Sequence, residues 1–197
     1  MIIKRLFDII TSIIGIIILS PILLLISLLI IFESGFPILY KQKRVGKENK
    51  DFFLLKFRSM NKGADKKGLL TIGEKDSRIT RVGYYLRKYK LDELPQLLNV
   101  LTGNMSIVGP RPEVRKYVDL YSDEQKKVLS VKPGITDYAS MEYTNENEIL
   151  AKSTEPEQLY IQEVMPKKLF LNQKYIQEMG LMTDIKIMFR TISKIIS

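Results

Sequence analysis

The sequence contains neither cysteine nor histidine in its 197 residues. Without cysteine there is no disulfide framework and no thiolate metal site. The lack of both residues also excludes Ser-His-Asp and Cys-His catalysis and nearly all zinc chemistry. Acid–base or nucleophilic work is therefore left to Asp, Glu, Lys, Tyr, Ser or Thr. A catalytic metal would be a hard cation bound by oxygen, and Mg²⁺ is the first candidate.

Acidic residues are outnumbered by basic ones, 22 against 31, which gives a net charge of +9. Such an excess favours an anionic partner, for example nucleic acid, lipid headgroups or a phosphorylated substrate. The sequence has neither a basic stripe nor a nucleic-acid-binding motif, so we expect no nucleic-acid partner. The length suits one compact domain together with a membrane element.

A run of 24 uncharged residues separates Asp8 from Glu33. A straight helix of this length would rise about 36 Å, which is enough to span a bilayer. Ser20 and Pro21 lie at its centre, where proline removes a helical hydrogen bond and kinks the axis. The Ser20 hydroxyl is placed to satisfy a backbone group that the proline frees.

Basic residues flank this run on both sides, with Lys4 and Arg5 before it and Lys41, Lys43 and Arg44 after it. Because such residues favour the cytoplasmic face, a spanning helix would have to export one set. We therefore predict a re-entrant membrane hairpin over residues 1–36 with its break at Ser20-Pro21. A kinked spanning helix is the alternative. Residues 37–197 are then a cytoplasmic, membrane-associated catalytic domain.

The remaining sequence predicts an α+β fold that is mostly helical. Two short strands, ILYKQKRVG and DFFLLKFRSM, flank a polar turn at Lys47–Lys50, and GADKKG is a loop. Helices are predicted within residues 80–101 (the second beginning at Pro95), at 123–129, 155–179 and 183–196, with Thr183 or Asp184 as the last N-cap. Residues 104–112 are too rich in Gly and Pro for a helix, and VKPGIT is predicted to be a loop. Aromatic and basic residues at Tyr84–Tyr89, and the amphipathic final helix, favour a membrane-interfacial location.

Asp92 and Glu93 are adjacent carboxylates just before Leu94-Pro95, at the start of a predicted helix. Helix N-termini favour negative groups, so capping is the simplest interpretation. Arg87 lies upstream and Arg111 lies downstream in a Gly-Pro-Arg-Pro loop. Arginines around a carboxylate pair suit a bound diphosphate with its Mg²⁺. In the other interpretation, both arginines only pair with the carboxylates.

Several ordered motifs in this chain resemble those of one family. They are KRLFD (4–8), Ser20-Pro21, KFRSM (56–60), LDELPQLLNVL (91–101) and MSIVGPRP (105–112). Together they resemble the bacterial sugar transferase family, the monotopic phosphoglycosyl transferases that initiate bacterial glycan assembly. The resemblance runs from the N-terminus to about Thr136 and resumes at Asp184.

The resemblance implies an enzyme that transfers a sugar-1-phosphate from a UDP-sugar to polyprenyl (undecaprenyl) phosphate and releases UMP. Asp92 matches the nucleophile, which forms an aspartyl-phosphosugar, and Glu93 matches its acidic partner; both are candidate Mg²⁺ ligands. Phosphate oxygens would be bound by basic residues of the motifs: Lys56, Arg58, Arg87 and Arg111. A glycosyltransferase that releases UDP, or a membrane-anchored binding protein, are the alternatives.

The resemblance also implies contact with membrane lipid and a location at the cytoplasmic face of the bacterial inner membrane, and it leaves a homodimer open. Two departures stand out. Asn104 replaces an Asp that is common in the family, and the segment from Asp137 to Lys168 lacks the usual Gly-containing stretch that ends in GRN. The sugar, the glycan pathway and the prenyl chain length are therefore not implied.

Overall fold

The computed structural model describes residues 2–64, 76–143 and 146–196. The helices are α1 (Ile2–Ser34), α2 (Arg81–Lys88), α3 (Gln96–Leu101), α4 (Arg115–Val118), α5 (Tyr138–Glu142), α6 (Glu146–Ala151), α7 (Pro156–Leu159), α8 (Met165–Glu178) and α9 (Leu181–Ile196). The strands are β1 (Leu39–Val45), β2 (Asp51–Phe57), β3 (Ser106–Val108) and β4 (Gly134–Thr136). Short 3₁₀ turns cover Lys47–Asn49, Leu91–Glu93 and Gln125–Ser130, and a π-helical turn, Tyr160–Val164, joins α7 to α8. The fold is α+β and mostly helical, as predicted.

Two small sheets organise the domain. β1 and β2 form an antiparallel hairpin that pairs Leu39 with Phe57 and Val45 with Asp51, around the predicted turn. β3 and β4 are parallel and pair Ser106 with Gly134. One buried cluster joins β2, α3, β3, α8 and α9 through Leu54, Val100, Met105, Val108, Tyr175 and Ile187. A second core joins α4 to the α6–α8 region, and Val45 of β1 contributes to it.

Helix α1 contacts the domain along one face. Its buried and half-buried positions recur every three or four residues, as one side of a helix requires: Asp8, Ser12, Leu19, Leu23, Ile26 and Ile30. The opposite face is apolar and exposed, and it includes Ile3, Leu6, Ile10, Ile17, Leu24, Leu28 and Phe32. In length and composition α1 is able to cross a membrane.

Both ends of α1 are tied to the same domain. Near the N-terminus, Arg5 donates to the carbonyls of Val100 and Leu101 at 2.6 and 2.9 Å. Asp8 accepts from the Ser106 hydroxyl at 3.0 Å and from the Ile107 amide at 3.1 Å. At the C-terminal end, Glu33 accepts from the Val82 amide and Ser34 accepts from Arg58. The helix is therefore held at two distant points of one domain.

Pro21 lies inside α1 and does not end it, because the helix runs from Ile2 to Ser34. The proline lacks the N–H that would bond the carbonyl four residues earlier, which is that of Ile17. The Ser20 hydroxyl donates to this Ile17 carbonyl at 2.8 Å. Ser20 thus compensates the carbonyl that Pro21 frees, as predicted. The hairpin over residues 1–36 stays a prediction.

Several predicted elements differ in detail. Residues 104–112 form no helix, as predicted, and contain the short strand β3. VKPGIT contains β4 where a loop is predicted; a three-residue strand carries almost no periodic signal in the sequence. Residues 125–130 form a 3₁₀ turn rather than an α-helix. The predicted helix at 155–179 is confirmed as the continuous α7–π–α8 segment. The predicted loop at 63–68 lies outside the described residues beyond Ala64.

The predicted N-cap of the last helix is wrong. Helix α9 begins at Leu181, so Asp184 lies one turn inside it. Asp184 is buried and accepts from Lys4 at 2.5 Å and from the Tyr175 hydroxyl at 2.7 Å. These tertiary partners explain an acidic residue that the sequence pattern assigned to capping.

Candidate active site

Asn99 fixes the position of the carboxylate pair relative to β2. The side chain of this buried α3 residue accepts from the Leu55 amide at 2.9 Å and donates to the Phe53 carbonyl at 2.8 Å. It therefore bonds the edge of β2 as a neighbouring strand would. This contact places the 3₁₀ turn that carries Asp92 and Glu93, which precedes α3, beside Lys56 of β2.

Gly109 and Gly134 allow β3 and β4 to approach closely enough to place Arg111. A Cβ on Gly134 would lie 2.1 Å from the Gly109 amide nitrogen, and one on Gly109 would lie 2.5 Å from the Lys132 carbonyl oxygen. Only glycine fits at either position. The Arg111 amide then donates to Asp137 at 3.1 Å, so the loop that carries the guanidinium is held from both sides.

Glu93 is bound by two cations. Lys56 donates to Glu93 Oε1 at 3.0 Å, and the Arg111 guanidinium donates to both carboxylate oxygens, with Nη1 to Oε2 at 3.1 Å. Burial alone would raise the pKa of Glu93, but Arg111 and then Lys56 hold it well below its usual range. Burial lowers the pKa of Lys56, and Glu93 partly offsets this. Glu93 is therefore a carboxylate that organises two cations.

Asp92 is in the opposite situation although it is the adjacent residue. It is buried, and within the described chain no group hydrogen-bonds its carboxylate. Burial raises the pKa of Asp92, and the nearby charge of Lys56 only partly offsets this effect. Neither acidic residue caps α3, which begins after Pro95 without a side-chain cap. The capping interpretation is therefore wrong, and Asp92 is left as an unpaired carboxylate.

The other predicted basic residues occupy different places. Arg87 of α2 lines the same cavity as Asp92, and its side chain makes no hydrogen bond or ion pair within the residues described. The interpretation in which both arginines only pair with the carboxylates thus holds for Arg111 alone. Arg58 is buried and donates through Nη2 to the Ser34 hydroxyl and the Gly35 carbonyl, each at 2.6 Å. Its Nε and Nη1 have no partner in the described chain.

These residues share one cavity of about 840 Å³, within the size range of small-molecule sites. Among the residues that line it, cationic side chains outnumber acidic ones by ten to four. One side carries Lys56, Arg87, Asp92, Glu93 and Arg111, which we call the motif wall. Because cationic side chains exceed acidic ones in this lining, the cavity suits an anionic ligand such as a diphosphate.

Other residues of the site have no clear signal in the sequence. Glu113 follows the Gly-Pro-Arg-Pro loop and accepts from Arg44 at 2.8 Å and from the Tyr160 hydroxyl. Burial would raise the pKa of Glu113, but Arg44 lowers it. Asp137 accepts from the amides of Arg111 and Ser140. The position of Glu113 and Asp137 next to the motifs is the only sequence feature that could have identified them.

The carboxylates fit Mg²⁺ in part. Asp92 faces the cavity without a protein partner, and its oxygens are the hard donors that Mg²⁺ prefers. The oxygens of Glu93 are engaged by Lys56 and Arg111. No group of three or more acidic residues that could hold a metal occurs in the part of the chain that the structure describes. Mg²⁺ commonly uses one or two carboxylates and completes its shell with water and substrate phosphates.

The chain matches the family described as bacterial sugar transferase over residues 1–197. It is 37% identical, over 99% of its length, to the UDP-N-acetylgalactosamine-undecaprenyl-phosphate N-acetylgalactosaminephosphotransferase of Aeromonas hydrophila, of which it covers 44%. It is 36% identical, over 97% of its length, to the UDP-glucose:undecaprenyl-phosphate glucose-1-phosphate transferase of Escherichia coli K12, of which it covers 39%. The chain thus spans less than half of either relative.

A third relative is closer in length. The sugar transferase EpsL of Bacillus subtilis is 38% identical over the whole chain, which covers 88% of that protein. Because the family match and these identities extend across the motifs and across the segment that departs from them, the chain belongs to the bacterial sugar transferase family.

Proposed function

We propose that the protein transfers a sugar-1-phosphate from a UDP-sugar to polyprenyl phosphate and releases UMP. The observation that carries this proposal is the pair of adjacent carboxylates, one unpaired and one held by two cations, in a cavity rich in positive charge. The same class of reaction is supported by the A. hydrophila and E. coli relatives, whose names both include a UDP-sugar and undecaprenyl phosphate.

The reaction proceeds in two displacements at one phosphorus. A carboxylate oxygen of Asp92 attacks the phosphorus that bears the sugar, and the bond from this phosphorus to the bridging oxygen breaks. UMP leaves with that oxygen, and an aspartyl-phosphosugar remains. An oxygen of the lipid phosphate then attacks the same phosphorus, and the bond to Asp92 breaks. Covalent catalysis thereby divides one difficult displacement into two.

The remaining residues of the motif wall bind and orient phosphate. Arg111 and Lys56 hold Glu93 as an anion and keep their own charges beside the reacting phosphorus. Arg87 is free of protein partners in the described chain and supplies a further cation. Mg²⁺, when bound by Asp92 or Glu93 with the diphosphate, would offset negative charge on the phosphates.

We also propose that α1 enters the membrane from the cytoplasmic face and returns to it. The support is that Arg5 and Asp8 near one end of α1, and Glu33 and Ser34 at the other, bond to one domain. Charged groups bound to the domain cannot lie across about 30 Å of hydrocarbon from it. The exposed apolar faces of α1 and α9 would then contact lipid.

The function is tested by the identity of the nucleotide released from a panel of UDP-sugars by the full chain in membranes. We expect UMP and not UDP, with loss of release after EDTA treatment. Without lipid acceptor, the protein should release at most one UMP per site and retain the sugar phosphate on Asp92 in a hydroxylamine-labile bond. Asp92→Asn should abolish both labelling and turnover, because an amide is a far poorer nucleophile.

Release of UDP would instead identify transfer of the bare sugar. Turnover by Asp92→Asn at a near wild-type rate would favour direct attack by the lipid phosphate. Either result contradicts the covalent route.

The topology is tested with single introduced cysteines, whose labelling can be assigned to one position because the natural chain has no cysteine. Ile2→Cys and Glu48→Cys should both resist an impermeant thiol reagent in intact cells and react after permeabilisation. Labelling of Ile2→Cys alone from outside would establish a spanning helix.

A further inference from the structure

The cavity has a second side that none of the family motifs supplies. It is formed by α5, α6 and α8 and includes Ser140, Glu146, Lys168 and Asn172, which we call the helical wall. Three of these four residues lie in the segment from Asp137 to Lys168 that departs from the family pattern, and Asn172 lies one turn beyond Lys168 on α8. Arg111 joins the two sides, because it bonds Glu93 through its guanidinium and Asp137 through its amide.

Two polar atoms of the helical wall are buried without a hydrogen-bond partner in the described chain. They are the Ser140 hydroxyl and the Asn172 side-chain carbonyl, and Asn172 is 4% exposed. Buried polar atoms are nearly always paired in native proteins, since an unpaired one loses its hydrogen bonds to water. A hydroxyl both donates and accepts, whereas the amide carbonyl accepts, so together they match a ligand with hydroxyl or amide groups.

An ion pair completes this wall. Lys168 donates to Glu146 at 2.7 Å, and both side chains are largely buried against the cavity. Each partner keeps hydrogen-bonding capacity, because an ammonium has three donors and a carboxylate has about four acceptor sites. The charge of Glu146 also acts on Arg111, which places the pair within electrostatic reach of the phosphate-binding residues. The pair offers a donor and an acceptor side by side, as neighbouring hydroxyl groups on a sugar require.

We propose that the helical wall is the subsite for the donor's sugar, and that Ser140, Glu146 and Lys168 select a hexose by its hydroxyl or acetamido groups. This inference rests on the proposed function, which places the diphosphate on the motif wall. The sugar then extends from its phosphate past Arg111 toward α5 and α8. Lys168 donates to ring hydroxyl oxygens, Glu146 accepts from hydroxyl groups, and Ser140 contacts a neighbouring substituent.

The test compares binding of a donor with binding of UDP, which has the diphosphate but lacks the sugar. In the full chain we would measure the KM of the best UDP-sugar and the inhibition constant of UDP. Lys168→Met should raise the KM about tenfold or more, as loss of a hydrogen bond from a charged group implies. Ser140→Ala should raise it about two- to tenfold. In Ser140→Ala, UDP inhibition should change less than about twofold, since the lost hydroxyl is neutral and lies away from the diphosphate. In Lys168→Met, the UDP inhibition constant should change several-fold less than the KM.

Lys167→Met is the matched control, because Lys167 is the neighbouring α8 residue and its side chain is exposed. Its ion pair in the described chain is with exposed Glu163 at 3.6 Å. The variant should leave both constants unchanged. Ser140→Ala removes a hydroxyl that bonds nothing in the described chain, so it separates selection from folding. Among donors that differ at one hydroxyl, Ser140→Ala should change the ratio of kcat/KM values, which a general structural defect would leave constant.

Parallel increases in the KM and in the UDP inhibition constant would overturn the sugar subsite, as would an unchanged KM in both variants. If the wild-type protein is active but its variants change the KM of the UDP-sugar and the inhibition constant of UDP equally, only this inference is wrong. A wild-type protein that releases no UMP from any UDP-sugar would remove the proposed function, and the subsite with it.

Discussion

The two sides of the cavity use charge differently. On the motif wall, Lys56 and Arg111 converge on Glu93, while Asp92, one residue away, is buried without a partner. On the helical wall, Lys168 and Glu146 satisfy one another, and the unpaired groups are the neutral atoms of Ser140 and Asn172. Unpaired charge suits phosphate chemistry, and unpaired neutral groups suit discrimination among uncharged substituents.

The two sides also differ in how their positions are fixed. The motif wall depends on backbone contacts that tolerate no change, such as the approach of Gly109 to Gly134 and the Asn99 bonds to β2. The helical wall presents side chains from helices, where one residue is replaced without moving the backbone. A family that keeps its chemistry and varies its sugar would keep the first side and vary the second.

The largest expected effect is on the free energy of unfolding, and it distinguishes Glu93 from Asp92. Glu93→Gln leaves Lys56 and Arg111 buried without their shared counter-charge, and breaking a buried pair in this way costs about 3–5 kcal/mol. We expect the free energy of unfolding to fall by roughly this amount and transfer activity to be lost. Thermal unfolding of the full chain in detergent, followed at neutral pH, measures the change.

Asp92→Asn is the matched control, because it removes the same charge at the adjacent position. The raised pKa of Asp92 means that its ionised form is costly in the folded state, so the amide should not lower stability and we expect a small increase. The contrast between the two carboxylates would be broken by similar destabilisation in both variants. It would also be broken by a stable, active Glu93→Gln protein.

How far the sequence could predict this site depends on the range of the contacts. The carboxylate pair and its basic partners lie in short motifs, so Lys56, Asp92, Glu93 and Arg111 could be named, and the structure brings them together. That Glu93 and not Asp92 binds both cations could not be predicted. The choice depends on the orientation of the 3₁₀ turn, which is fixed relative to β2 by the bond from Asn99 to Leu55, 44 residues away in the sequence.

The fold shows the same limit. The β1–β2 hairpin and the long apolar α1 follow from local pattern, and both are confirmed. β3 and β4 pair across 28 positions with three residues each, which is too short for a periodic signal. Asp184 was assigned to a cap because its partners, Lys4 and Tyr175, are distant in sequence. Long-range partners, and not local preference, decide these positions.

The smallest expected effect concerns the family departure that lies outside both walls. Asn104 is exposed on the turn after α3 and does not line the cavity, and its side-chain amide donates to the Thr102 hydroxyl at 3.2 Å. Asn104→Asp restores the residue that is common in the family, near the cations Arg5 and Lys132 that flank Gly103. Because exposed ion pairs contribute about 0.2–1 kcal/mol, we expect a stability gain of that order at low salt. Donor KM and kcat should stay within about twofold. A tenfold change in KM would instead show that this turn is part of the site. In that case, departures from the family pattern on the helical wall and outside it would not differ in their effect on the donor.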